Sequence, residues 1–262
     1  VWWEGSKIEA PKKALDWQGR PWHENMRDEN GNPVKGAHPN SRFTAPAKNC
    51  PCLSPEFDNG RGVPISAIIF GGRRAKVDPL VYEARDWDHG VFVGATMASE
   101  TTAAAAGKVG VVRRDPMAML PFCGYNMCDY FAHWLKMGVR MSNAPKIFHV
   151  NWFRTDANGN YIWPGFGDNM RVLDWIIRRC DGEVDAVETP VGLMPKKEDI
   201  NIDGMDAFND VKLEEVLDLD LSAWKKEAES ISEFFDKFGD ELPEKLAKQL
   251  RILKHNLRNE NK

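Results

Sequence analysis

The sequence has no run of about 18 consecutive apolar residues, the length that a membrane-spanning helix needs. Residues 1–5 lack the basic and apolar regions of a secretory signal peptide. The five cysteines are an odd number in a chain too large to need covalent cross-links, a pattern typical of reduced thiols. These absences predict a cytoplasmic protein with no membrane partner.

Several motifs that mark common catalytic sites are also missing. No Gly-x-x-x-x-Gly-Lys-Ser/Thr phosphate loop, no His-Glu-x-x-His metal motif and no Gly-x-Ser-x-Gly nucleophile motif occurs. Cys50 and Cys52 are closer in sequence than zinc-binding pairs usually are, and Cys123 and Cys128 have no histidine at ligand-like spacing. The sequence therefore predicts no metal site within this chain.

Composition and charge exclude two further classes. The 262 residues are 42% hydrophobic and 28% charged, which is enough apolar material to bury a core and argues against disorder. The net charge of −4 is uneven, because residues 196–262 hold 12 basic and 17 acidic side chains whereas residues 1–195 hold 23 and 22. The lack of a basic face argues against a nucleic-acid partner.

The apolar pattern predicts an α/β fold with a helical end. Short β-branched runs separated by Gly, Pro and Asp predict strands at residues 63–70, 80–82, 91–93, 109–112 and 145–152. The run at residues 86–89 is interpreted as a polar turn before the third strand. Helical spacing predicts helices over residues 123–139, from Asp168 to about Cys180 with Gly182 just past its end, and twice more after Pro195.

Residues 1–62 show no sustained period and contain seven prolines and six glycines, so we expect a long, mostly irregular segment. Its tryptophans are larger apolar side chains than a solvated loop normally carries. We expect them to pack against a part of the protein outside this chain: Trp2, Trp3, Trp17 and Trp22.

Arginines follow two of the predicted strands. Arg73 and Arg74 come directly after an apolar run and two glycines, where planar guanidinium groups would suit phosphate or carboxylate. A solvated turn with surface ion pairs remains the alternative. Arg113 and Arg114 present the same ambiguity, since the adjacent Asp115 could simply pair with one of them.

Aromatic residues cluster around the end of the last predicted strand. Trp152 and Phe153 end that strand, a turn follows at residues 158–160, and Phe166 lies between two glycines before a helix. Two opposed aromatic faces beside an amide are what a purine site needs, for stacking and for edge recognition. Core packing is the alternative.

A run of small residues separates two predicted strands. By propensity it could form a short alanine helix, or its small side chains and terminal glycine could allow a mobile lid. We call it the lid segment, and its members are Thr101, Thr102, Ala103, Ala104, Ala105, Ala106, Gly107 and Lys108.

Taken together, five motifs resemble those of the GTP-dependent phosphoenolpyruvate carboxykinases. The motifs, in chain order, are Val-Trp-Trp-Glu-Gly from Val1, His-Pro-Asn-Ser-Arg-Phe from His38, Ile-Ile-Phe-Gly-Gly-Arg-Arg from Ile68, His-Val-Asn-Trp-Phe-Arg from His149, and Trp-Pro-Gly-Phe-Gly-Asp-Asn from Trp163. The resemblance runs essentially end to end and covers only the C-terminal part of such an enzyme. It implies an incomplete mixed-sheet nucleotide-binding domain with C-terminal helices.

In that family oxaloacetate and GTP give phosphoenolpyruvate, carbon dioxide and GDP, a reaction of gluconeogenesis and anaplerosis. The resemblance implies manganese or magnesium, whose ligands, like the phosphate loop, lie upstream of this segment in the family. A missing N-terminal portion of the same polypeptide is therefore an expected partner. The isolated piece would be inactive, and a weakly guanine-nucleotide-binding structural module is the alternative function.

The resemblance also implies roles for individual residues. Asn40, Ser41 and Arg42 would contact oxaloacetate or phosphoenolpyruvate, with Arg42 also reaching the transferred phosphoryl group as a catalytic residue. Arg73 would hold nucleotide phosphates. The guanine site would comprise Trp152, Phe153, Tyr161, Phe166, Gly167, Asp168 and Asn169.

The same resemblance places the lid segment in the family's omega-loop lid, which would protect an enolate from water. It implies three parts: an irregular substrate-contacting segment, residues 1–62; a strand-rich guanine-site region, residues 63–195; and a helical end, residues 196–262. Two features depart from some members of the family: Tyr161 adds a hydroxyl where some carry phenylalanine, and residues 105–107 are uncharged where some carry charged residues.

Overall fold

The computed structural model describes residues 2, 8–38, 41, 44–101, 110–205 and 207–260. They fall into two compact units, one before residue 64 and one comprising residues 64–101 and 110–260. Among these residues no helix combines the length and the apolar character needed to cross a bilayer.

The strands are short and the helices longer. The strands are β1 Ala14–Leu15, β2 Pro21–Trp22, β3 Ala67–Gly71, β4 Val81–Glu83, β5 Ala98–Glu100, β6 Val112–Arg114, β7 Lys146–Val150, β8 Val187–Thr189 and β9 Gly192–Met194. The helices are α1 Trp87–Thr96, α2 Met127–Arg140, α3 Asn169–Asp181, α4 Asp210–Leu217, α5 Leu221–Asp236 and α6 Glu244–Asn259.

The second unit is built on a five-stranded sheet in the order β3-β7-β4-β9-β8. Strands β3 and β7 are parallel, with Ile68 opposite Ile147, while β4 is antiparallel to both β7 and β9. Strands β5 and β6 form a separate antiparallel pair. The predicted α/β fold with a helical end is therefore confirmed, and its main sheet is mixed.

Helices cover both faces of this sheet, as the alternation along β4 shows. Tyr82 belongs to the core cluster formed with α1, α2, α5 and α6, whereas its neighbour Val81 belongs to the cluster formed with α3 and α4. Successive strand side chains point to opposite faces, so the two clusters lie on opposite sides of the sheet. Leu246 and Trp175, each fully buried, represent the two sides.

The predicted strand at residues 91–93 is wrong, because these residues lie within α1. The Asp86 carboxylate accepts a hydrogen bond from the His89 backbone N–H at 2.7 Å, so the predicted polar turn is a helix N-cap. Residues 89–96 are all buried, and α1 contacts β7, α2 and α6. A helix enclosed on several sides reads as a continuous apolar run, and periodicity alone cannot separate it from a buried strand.

The described residues of the first unit are largely irregular apart from the short β1–β2 pair and one 3₁₀ turn. Trp22 is 3% exposed, stacks on Trp2 at 5.7 Å between ring centroids, and donates to the Val34 carbonyl at 2.9 Å. The expectation that Trp22 packs against a part outside this chain is therefore wrong. Trp17 is about half exposed, and Trp3 lies outside the described residues.

Candidate functional site

Two loops leave the sheet at the same edge. Strands β3 and β7 are parallel and end at Gly71 and Val150, so the loops that carry Arg73 and Phe153 begin side by side. A Cβ atom at Gly72 would lie 2.0 Å from the Ala98 carbonyl oxygen, so only glycine lets the first loop approach β5 this closely. The sequence therefore builds a close meeting of three backbone segments at this edge.

Arg73 lies over the ring of Phe153. The central carbon of its guanidinium group is 4.5 Å from the ring centroid, a cation–π contact. Its backbone N–H donates to the Ser99 hydroxyl at 3.1 Å, and its carbonyl accepts from the Glu100 N–H at 2.8 Å. The buried Nε atom has no hydrogen-bond partner among the described residues. Such an orphaned donor on a fixed cation fits an anionic ligand.

The side chain of Asn151 joins the two loops. The residue is only 1% exposed. Its amide nitrogen donates to the carbonyls of Arg74 and Asp78 at 2.9 and 3.0 Å. Its amide oxygen accepts from the N–H groups of Arg74 and Phe153 at 3.3 and 3.2 Å. All four contacts are to backbone, so this amide positions the loops and has no capacity left to recognise a base edge.

Arg74 has a different environment from Arg73. Its guanidinium group makes two parallel hydrogen bonds to the Glu227 carboxylate on α5, at 3.0 and 2.7 Å. Arg114 at the end of β6 contacts the same carboxylate at 2.7 Å. All three side chains are at most 10% exposed, so the alternative of a solvated surface turn is wrong for Arg74. Arg113 is half exposed and pairs with Asp115, as the sequence allowed.

Charge pairing sets the ionisation of this cluster. Burial alone would raise the pKa of Glu227, but hydrogen bonds and positive charge from Arg74 and Arg114 outweigh it and hold that pKa below the ordinary glutamate value. Asp78 lies 3.9 Å from the Arg74 guanidinium and adds a second negative charge. The Glu227 carboxylate is therefore ionised at neutral pH.

Phe153 and Tyr161 form the aromatic part of the site. Their rings meet edge to face, with centroids 5.7 Å apart, and a bridge between Thr155 and Tyr161 closes the intervening turn. Trp152 is partly buried against the core cluster on the α3 side of the sheet, so at least part of its ring packs in the interior. The predicted aromatic cluster thus divides between a site and a core.

Phe166 is 94% exposed and has a φ of 39°, a conformation that is uncommon for a residue other than glycine. It follows Gly165, whose φ is 75°, and begins a short 3₁₀ turn, Phe166–Asp168. Space around Gly167 is open. An exposed aromatic ring on an unusual backbone is typical of a binding site, because neither feature contributes to folding.

The helix that follows uses part of its first turn for structure. The Asn169 side-chain oxygen accepts from the buried Trp163 indole N–H at 2.8 Å, while no partner for its amide NH₂ lies among the described residues. Asp168 precedes α3 without a capping hydrogen bond and pairs with Arg171 at 3.1 Å. Of these two side chains, only the Asn169 amide group is thus available to donate to a ligand.

The other predicted site residues are only partly described. Thr101 lies at the base of the β5–β6 pair, where its backbone N–H donates to the Val111 carbonyl at 3.0 Å and its carbonyl accepts from Gly110 at 2.9 Å. Ser41 donates its backbone N–H to the His38 carbonyl at 2.8 Å. Asn40, Arg42 and residues 102–108 lie outside the described residues, so their roles stay predictions.

The described residues contain no group of three or more His, Cys, Asp or Glu side chains that could hold a metal ion. The run at residues 156–160 is a turn in which Asp156 accepts from two backbone N–H groups. The described residues therefore do not provide a set of side chains that could bind a divalent metal ion.

Residues 1–256 match the family described as the phosphoenolpyruvate carboxykinase C-terminal P-loop domain. The phosphoenolpyruvate carboxykinase (GTP) of Anaeromyxobacter dehalogenans is 53% identical over 258 residues, covering 98% of this chain and 42% of that protein. The enzymes of that name from Renibacterium salmoninarum and Treponema pallidum are 51% and 50% identical over 259 and 257 residues, covering 98% and 97% of this chain and 42% and 41% of theirs.

The chain thus belongs to the phosphoenolpyruvate carboxykinase family and spans about two fifths of the length of these curated relatives. The sequence resemblance is confirmed at the level of the family. Of the residues that the structure adds to the site, Asn151 and Glu227 were not predicted. Glu227 lies 153 residues from Arg74, and no local pattern links them.

Asn151→Ala should loosen both loops. Losing four hydrogen bonds leaves buried backbone groups unsatisfied, so we expect the free energy of unfolding to fall by about 1–3 kcal/mol. Hydrogen exchange should accelerate at the amides of Arg74 and Phe153, which can be followed by mass spectrometry. Asn143→Ala, at an exposed asparagine, is the control. Unchanged exchange in both loops would remove Asn151 as their link.

Glu227→Gln should destabilise the chain by about 3–5 kcal/mol at pH 7, because two buried arginines lose their counter-charge. Since the folded pKa of Glu227 is lowered, its contribution is complete above the ordinary glutamate pKa and is lost as pH falls through the folded value. The stability gap to the unaltered chain should therefore narrow below about pH 4 in urea unfolding. Glu233→Gln, exposed on the same helix, is the control. A gap that stays constant through the acid range would contradict an electrostatic origin.

Proposed function

We propose that this chain is the guanine-nucleotide-binding part of a GTP-dependent phosphoenolpyruvate carboxykinase, which converts oxaloacetate to phosphoenolpyruvate. The observation that carries the proposal is Arg73, a fixed cation whose buried Nε–H has no partner among the described residues and which is held against Phe153 at the edge of the sheet. The names of the relatives supply the nucleotide and the reaction class.

The chemistry requires charge neutralisation. Loss of carbon dioxide from oxaloacetate leaves an enolate, whose oxygen takes the γ-phosphoryl group of GTP. Fixed cations stabilise such developing negative charge without reorganising. Arg73 is suited to hold nucleotide phosphates, because its loop is fixed on one side by Ser99 and Glu100 and on the other by Asn151.

The base would bind among the exposed aromatics. While Arg73 covers one face of Phe153, only the opposite face of that ring can stack on guanine. Phe166 would supply the second stacking surface and Tyr161 the rim, and both rings are exposed. The Asn169 amide NH₂ is suited to donate to a base carbonyl, together with backbone groups of Gly167 and Asp168. Trp152, which is partly buried against the core next to Phe153 in the chain, would lie alongside the base.

Substrate contacts would come from the first unit and from the lid segment. Asn40, Ser41 and Arg42 would bind the carboxylates of oxaloacetate or phosphoenolpyruvate, and Arg42 would also reach the transferred phosphoryl group. Closure of the lid segment would keep water from the enolate. These roles correspond to the three parts outlined from the sequence: residues 1–62 for substrate, 63–195 for guanine, and 196–262 as a helical support.

The family implies a divalent metal ion, which would neutralise phosphate charge when bound. The ion would be manganese or magnesium. Because the described residues offer no ligand set, we assign the residues that bind it to the part of the relatives that this chain does not cover. The phosphate loop, which is absent from this sequence, is assigned there too. The fold would then be a nucleotide-binding domain completed by that part.

The second candidate function is that of a weakly guanine-nucleotide-binding structural module, inactive by itself. It is favoured by the coverage of 42% of the relatives and by the absence of the phosphate-loop motif from the sequence. The two candidates differ in what the chain does alone and agree on where a guanine nucleotide binds.

Phe166→Ala in the enzyme that carries this chain should raise the KM for GTP about tenfold or more while changing kcat little, because one stacking surface is lost. The ring is 94% exposed, so stability should not change. Phe57→Ala, at a ring 58% exposed, is the matched control. The measurement is the steady-state rate with GTP and with ATP, and equal use of both nucleotides would contradict the proposed guanine site. In the same assay Arg42→Ala should reduce turnover by orders of magnitude.

The chain alone should bind GTP more weakly than about 100 µM, and guanosine about equally weakly, because it supplies base stacking and one phosphate cation without the phosphate loop. Isothermal calorimetry in metal-free buffer tests this expectation. Micromolar binding of GTP, with none of guanosine, would show that phosphate recognition is complete in this chain and would contradict the assignment of the phosphate loop elsewhere.

A further inference from the structure

Two exposed thiols of the first unit are in contact. The Sγ atoms of Cys50 and Cys52 lie 3.6 Å apart, and both residues are exposed. The other three cysteines are buried or partly buried, and within the described residues no second pair of sulfur atoms is in contact. Cys123 and Cys180 contact backbone carbonyls instead.

The backbone holds the two thiols together through consecutive turns. A short 3₁₀ turn, Ala47–Asn49, ends where the Cys50 N–H donates to the Ala47 carbonyl at 2.9 Å. The Leu53 N–H then donates to the Cys50 carbonyl at 3.2 Å, which closes a turn with Pro51 at its second position. Proline fixes φ there before the turn forms, so little entropy remains to be lost when the sulfur atoms approach further.

We propose that Cys50 and Cys52 form a dithiol modification site, which small-molecule disulfides such as oxidised glutathione convert to an internal disulfide. The proposal does not rest on the proposed function, because it concerns only the thiols and the turn that carries them. Bond formation requires the distance between the two Sγ atoms to shorten from 3.6 Å to about 2.05 Å. Rotation of the two side chains can bring the sulfur atoms closer.

The reaction takes place in two exchange steps. The Cys50 thiolate attacks one sulfur of the small disulfide, forming a mixed disulfide and releasing one thiolate, which takes up the proton that Cys50 lost. Cys52 then loses its proton and attacks the Cys50 sulfur, which expels the second small thiol. Two protein thiols are oxidised to one disulfide, and one small disulfide is reduced to two thiols.

Cys50 is assigned as the first nucleophile. The hydrogen bond between the two thiols raises the pKa of the Cys52 thiol, which disfavours Cys52 as the first thiolate. Cys52 is then the resolving thiol. Its proximity makes the second step intramolecular and therefore fast relative to attack by another small thiol.

The chain offers a clean test, because trypsin cleavage after Lys48 and Arg61 gives a peptide, residues 49–61, that contains both cysteines and no other. The chain is incubated with oxidised glutathione, its free thiols are alkylated, and the peptide is weighed. We expect the peptide to lose two hydrogen atoms, with no alkyl group and no glutathione. In Cys52→Ser the glutathione adduct should persist on Cys50. Cys123→Ser, which leaves the pair intact, should behave like the unaltered chain.

Two results would overturn the proposal. One is a peptide from the unaltered chain that carries glutathione as stably as the Cys52→Ser peptide does. The other is a peptide in which both thiols are still alkylated after treatment that fully modifies a free model thiol. Neither result would bear on GTP use, and failure of the guanine site would leave the dithiol test unchanged.

Discussion

The geometry of the candidate site depends on the buried ion pairs that the Glu227 carboxylate makes with Arg74 and Arg114. The carboxylate receives two hydrogen bonds from Arg74 and a third charged contact from Arg114, and so joins α5, β6 and the loop after β3. Burying three charges is costly, and the arrangement is stable only while each is paired. Because Arg74 follows Arg73 directly in the chain, fixing one guanidinium group inside fixes the backbone from which the other points outward. Glu227 on α5 thereby fixes the loop from which the Arg73 side chain extends.

The adjacent arginines show how far sequence reasoning reaches. Two guanidinium groups after a strand and two glycines suit either an anion site or a solvated turn, and the fold excludes the solvated turn for Arg74. The sequence could not divide the pair, because the partner of Arg74 lies 153 residues away. Asn151 gives the same lesson, because nothing in its local sequence shows that its side chain joins two loops. In the structure, all four hydrogen bonds of the Asn151 amide go to backbone groups, which come together only when the chain folds.

Elements with a clear stop signal were predictable, whereas elements defined by burial were not. Gly182, with a φ of 75°, ends α3 where its sequence predicts, and the leucines of α6 fill the core at helical spacing. The residues of α1 carry no such period because β7, α2 and α6 enclose them. Phe166 represents the opposite case. Its flanking glycines marked it as a loop residue, but only the fold shows that its ring is left in solvent.

Arg73 and the residues at the start of the lid segment share one set of hydrogen bonds. The Glu100 N–H donates to the Arg73 carbonyl at 2.8 Å, and the Glu100 carboxylate accepts from the Ala75 N–H at 2.8 Å. One residue further on, Thr101 is joined by hydrogen bonds to Gly110 and Val111. The backbone at Thr101, where the proposed lid begins, is therefore connected to the loop that carries Arg73. Under the proposed function, a phosphate bound at Arg73 would restrain this backbone, and nucleotide binding would be coupled to lid closure through backbone contacts.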